Sequence, residues 1–116
     1  MRWIDRGLSV LLIPAGVAHT YGVMSFFTDP QTLFWSLVAT ILIFLIAAVN
    51  LLRTWRPGDR AVALIAAGAS AAYFLAQLRF GQIVGNIADP RVILFGSLTL
   101  ALTLFSLRDA RSKPAD

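Results

Sequence analysis

The chain has 116 residues, 58% of them hydrophobic and only 14% charged, with a formal charge of +4 and no cysteine. Soluble domains carry about 25% charged residues, so this composition excludes an ordinary water-soluble fold. The missing thiols exclude disulfide exchange, thiolate catalysis and Cys-based zinc or iron–sulfur ligation, and the basic residues flank apolar runs rather than forming a nucleic-acid site.

Four apolar runs follow one another: Gly7 to Phe27, Thr32 to Leu52, Ala61 to Leu78 and Val92 to Leu107, none containing Asp, Glu, Lys or Arg. A helix needs about 20 residues to cross a ~30 Å hydrocarbon core, and a soluble fold cannot place four such helices all at its centre. Segments such as LVATILIFLIAAVNLL do not alternate as barrel strands do. The sequence predicts an all-α membrane protein over residues 1–116, a single domain of four transmembrane helices at 7–27, 32–52, 61–78 and 92–107.

The first run resembles a signal sequence, with basic Met1–Arg6, apolar Leu8–Ile13 and small residues at 15–18. Its apolar character continues to Phe27, which predicts a retained helix, and Pro14 predicts a kink in it. Asp29-Pro30 precedes the second run and Asp89-Pro90 the fourth. Asp suits the N-cap and Pro the first helical position, so both dipeptides read as helix starts. Their 60-residue spacing suggests two helical hairpins in tandem, though little else in the halves aligns. Arg56-Pro57-Gly58-Asp59 reads as a tight turn that makes its flanking helices antiparallel. In Arg79–Arg91 the residues Phe80, Ile83, Val84 and Ile87 recur at helical spacing, which predicts a short interfacial helix or an extension of the third segment.

Eight of the ten basic residues lie at one side: Arg2 and Arg6, then Arg53, Arg56 and Arg60, then Arg108, Arg111 and Lys113. The positive-inside rule makes that side cytoplasmic and places both termini there, in a bacterial inner membrane. Trp3, Trp35 and Trp55 fall near the boundaries, as amphipathic rings do.

Each run carries a stripe of small or polar residues: Ala15, His19 and Gly22; Ser36, Thr40, Ala47 and Asn50; Ala66, Ser70, Tyr73 and Gln77; Gly96, Thr99, Thr103 and Ser106. Small residues and hydroxyls are what helices in lipid pack with, and the Ala-rich third run around Gly68 reads as the most closely packed. Asn50 near Arg53 reads as a helix-end hydrogen bonder. The bulkier polar residues are the candidate site. His19, Tyr73, Gln77 and Arg79 fall in the outer half, where they would form a ligand-binding pocket if their faces converge, with Gln82, Asn86, Asp89 and Arg91 at its mouth.

His19 is the only histidine, so a bis-histidine haem within one chain is impossible and a zinc site lacks partners. No carboxylate lies within the runs, and no catalytic spacing is present, which leads to the expectation of no enzyme activity, no cofactor and no metal. The leading expectation is a scaffold or accessory subunit that associates with itself or a larger membrane complex, in contact with membrane lipids. The alternative is binding or transport of a small amphiphilic ligand through the outer polar pocket.

Overall fold

Three aspartates set where helices begin. In the computed structural model, which describes residues 2–112, the chain forms α1 (Arg2–Phe26), α2 (Pro30–Trp55), α3 (Arg60–Ile83) and α4 (Pro90–Arg111). Asp29 accepts from the backbone N–H of Thr32 at 2.8 Å, Asp59 from Val62 at 3.1 Å and Asp89 from Arg91 at 2.9 Å. Each satisfies a donor that the first helical turn leaves free. Pro30 and Pro90 follow two of them, as read from the sequence. Lys113 and Met1 lie outside the described residues.

All four helices are long and apolar enough to cross a membrane. The bundle measures 53 × 22 × 21 Å, so its long axis exceeds the ~30 Å thickness of a hydrocarbon core. Large apolar side chains such as Val17, Ile41, Leu45, Ile65, Leu75 and Leu104 lie on the outside. Their number is at odds with water as the surrounding medium. The polar residues are instead inside: Thr40, Asn50, Ser70, Thr99 and Ser106 are buried, as are Ala47 and Ala66. The stripes read from the sequence are therefore the inward faces.

Contacts order the helices. Along α1 and α2, Asp5 meets Arg53, Gly16 meets Ile43 and His19 meets Thr40, so partner numbers fall as α1 rises and the two run in opposite directions. Asn50 with Ser106 and Arg53 with Asp109 are both 56 positions apart, so α2 and α4 run the same way. The most extensive packing joins α3 to α4 and α1 to α2, while α1 and α3 do not pack on each other. Leu12, Ile43, Ile46, Ala47, Phe95, Leu98 and Leu102 fill the middle.

Pro14 lies within α1, which is helical on both sides of it. Of the two expectations for Arg79–Arg91, the extension of the third segment is the one that forms: α3 runs on to Ile83 and the chain then turns, with no separate helix before Pro90. Gly85, at φ +73°, ends α3; the Asn86 N–H donates to the Gly81 carbonyl at 2.9 Å and the Gly85 N–H to Gln82 at 3.2 Å. That is the 6→1 and 5→2 pairing of a Schellman cap, which needs the left-handed residue that glycine supplies. Arg56–Asp59 is the expected turn, with Asp59 N–H bonded to the Arg56 carbonyl at 3.1 Å and Gly58 at φ +83°. Pro followed by a positive-φ Gly makes it type II. Gly68 faces open space, so the tight face of α3 is carried by Ala63, Ala66 and Ala67 rather than by that glycine.

Candidate functional site

The two ends of the bundle are built differently. At the end that carries most basic residues, Arg53 of α2 is only 2% exposed and Asp5 of α1 only 1%. Two guanidinium nitrogens of Arg53 bond the two oxygens of Asp5 at 2.6 and 2.7 Å, and one also bonds Asp109 of α4. Arg108 stands 3.8 Å from Asp5 and 3.2 Å from Asp109, so two positive and two negative groups share the knot. One turn inward, Asn50 donates to Ser70 of α3 at 3.0 Å and accepts from Ser106 of α4 at 3.1 Å and from Arg53 at 3.1 Å. This network ties all four helices together, and none of its buried polar side-chain atoms lacks a partner among the described residues. A buried ion pair is tolerated in a low-dielectric interior only with such complete satisfaction.

At the other end the helices part. A cavity of about 580 Å³ lies among them, lined from α1 by His19, from α2 by Trp35 and Ser36, from α3 by Tyr73 and Gln77, and from α4 by Phe95. Ligand pockets typically measure about 300–1,000 Å³. The His19 Nδ1 pairs with the Thr40 hydroxyl at 2.8 Å, and its ring stands edge-on to Phe95 at 5.9 Å, as Tyr73 does at 6.3 Å. Those contacts orient both polar side chains, while His19 Nε2 has no protein partner among the described residues. A smaller pocket of about 430 Å³ between α1 and α4 shares His19, Phe27, Arg91 and Phe95 with it.

Of the residues read from the sequence, His19, Tyr73, Gln77 and Arg91 line this cavity. Arg79 does not: it is exposed and donates to Gln82 at 3.3 Å. Because α3 stays helical to Ile83, Arg79 sits about 200° around the helix from Gln77 at ~100° per residue, on a different face. Gln82 and Asn86 are exposed and line none of the cavities described; Asn86 instead accepts from the Ala88 N–H at 3.0 Å. Asp89 is spent on capping α4 and on Arg91, which it grips through Nε and Nη2 at 2.9 Å each. Arg91 also lies over the Phe80 ring at 4.8 Å. Its side chain, followed by the Arg91 backbone N–H, holds the Asp89 carboxyl down at about 2. The backbone and hydroxyl of Thr32 lower Asp29 likewise.

Sequence reasoning missed the knot. Arg53 reads as a flanking charge and neither Asp5 nor Asp109 stands out in the sequence; the available signal was Asn50 three residues before Arg53, which puts both on one helix face. Among the described residues, no group of three His or Asp side chains could hold a metal ion. Comparison with protein-family models, curated proteins and solved structures finds no match.

Proposed function

We propose that this is a small multi-pass membrane protein that binds an amphiphilic ligand in its outer polar cavity, without converting it chemically. One observation carries the reading: α1 and α3 do not pack on each other, yet His19 from one and Tyr73 and Gln77 from the other line the same open space. Polar side chains used only for packing meet directly, as Asn50, Ser70 and Ser106 do. His19 meets Thr40 in that way through Nδ1, but it also lines the cavity with Tyr73 and Gln77, where polar groups set among aromatic walls offer directional bonds to a guest. In this reading the knot end faces the cytoplasm with both termini, as two helical hairpins in a bacterial inner membrane, because eight of the ten basic residues lie there.

The test is photolabelling of the purified protein in lipid nanodiscs with a diazirine-bearing octanol. Labels are expected on Ser36, Tyr73 and Gln77, and His19→Ala lowers them about fivefold, the worth of one ~1 kcal/mol hydrogen bond. Labels scattered evenly over the lipid-facing side chains would refute it. A second reading is association with another copy or a larger complex, as a scaffold or accessory subunit. It is favoured by α1, which packs extensively only on α2 and exposes Val10, Val17, Tyr21 and Met24. There, Val17→Trp changes the assembled mass and leaves octanol labelling unchanged.

A further inference from the structure

The outer cavity does not end at its polar residues. Leu42, Tyr73 and Ala76 line both this cavity and a groove between α2 and α3 of about 490 Å³, which continues past Leu45 and Val49 on one side and past Ala72, Ala69 and Ile65 on the other. Every residue of the groove is apolar except Tyr73, and Tyr73 stands at the junction. The two walls descend together, since α2 and α3 are linked by the Arg56–Asp59 turn and run in opposite directions. From Ala76 to Ile65 the groove extends for roughly 16 Å at ~1.5 Å per residue. That is long and almost wholly apolar, as suits one hydrocarbon tail lying along the helix axis.

The polar part has equally definite chemistry. Among the described residues the sole formally charged side chain lining it is Arg91, and two nitrogens of Arg91 are already bound by Asp89. The pair is neutral overall, so the cavity presents no unpaired charge that would single out an anionic or a cationic head. What is offered instead is a set of neutral hydrogen-bonding groups: the free Nε2 of His19, the Tyr73 hydroxyl, the Gln77 amide and the Ser36 hydroxyl. A hydroxyl head, which both donates and accepts, matches that set.

Building on the binding reading above, we propose that the ligand is a lipid with an uncharged, hydroxyl-bearing head and a linear hydrocarbon tail. The head bonds His19, Tyr73 and Gln77, and the tail occupies the α2/α3 groove. The apolar groove alone would accept any chain; its continuity with the neutral polar cavity selects the head.

Three diazirine reagents test this in nanodiscs: the octanol, a monoacylglycerol with the diazirine near the end of a long chain, and the fatty acid of the same chain. The monoacylglycerol is expected to label Leu45, Val49, Ala69 and Ala72, and His19→Ala lowers that labelling about fivefold. The fatty acid labels the groove at least tenfold less. Ala72→Trp, on an exposed α3 position that leaves the polar cavity untouched, abolishes monoacylglycerol labelling while octanol still labels Tyr73 and Gln77. Octanol labelling of the cavity with no long-chain labelling of the groove overturns this proposal and leaves the binding reading standing. Equal labelling by fatty acid and monoacylglycerol overturns the uncharged head. Failure of octanol itself to label the cavity overturns both.

Discussion

Arg53 shows how much one side chain can hold. It is a flanking charge by position, yet it is buried and bonds α1, its own helix and α4 together. Arg53→Ala leaves the carboxylate of Asp5 buried without its partner, and removing one member of a buried pair costs roughly 3–5 kcal/mol. We expect a large fall in the thermal unfolding midpoint in detergent. Arg53→Lys recovers little of it, because an ammonium cannot reproduce the two-pronged grip on Asp5. Asn50→Leu should cost about 1–3 kcal/mol by stranding Ser70, Ser106 and part of Arg53. At the opposite end, Asp89 titrates below its ordinary range, so its ionised form is the one that stabilises the fold. Its contribution is complete above the ordinary carboxyl value of 3.8 and lost as pH falls toward about 2. The protection of the Arg91 amide against hydrogen exchange, relative to its intrinsic rate at each pH, should therefore fall between about pH 4 and pH 2, with the step absent in Asp89→Asn.

Among whole helices, the spacing of α1 from α2 depends on Gly16. A Cβ there would stand 2.9 Å from a Phe44 ring carbon, closer than packed carbons approach, and 3.1 Å from Ile43, which is also tight. Gly16→Ala is expected to cost about 1–3 kcal/mol by forcing the helices apart, whereas Gly22→Ala and Gly96→Ala, which meet open space, leave the midpoint unchanged. The small-residue stripes of the sequence contain Gly22 and Gly96 but not Gly16. Helical spacing says which residues share a face, but which of them touches a neighbour depends on how deeply the two helices interlock. Similarly, Arg79 and Gln77 were read as one site, and the unbroken course of α3 separates them. The helix starts, by contrast, were legible, because a cap is a bond between residues two or three apart.

Taken whole, the molecule is tied at one end and open at the other. Buried ionic and amide bonds join all four helices at the basic end, an apolar layer including Leu12, Ile43 and Leu102 follows, and beyond it lies the cavity. The chain lacks native cysteine, so single introduced cysteines report orientation cleanly. Gly58→Cys should react with a membrane-impermeant maleimide only from the cytoplasmic side, and Asn86→Cys only from outside. The reverse pattern would invert the orientation.

The amino-acid sequence determined the medium, the number of helices, their starts and the distribution of charge between the two ends. Those properties follow from transfer energies summed over neighbouring residues and from bonds within a single turn. Tertiary structure alone decided that Arg53 and Asp5 are a buried clamp, that Arg79 faces away, and that His19 meets the cavity shared with Tyr73 and Gln77. Such meetings depend on the rotation and register of helices whose residues lie far apart in the chain, and packing energy resolves these only when all four faces close on one another.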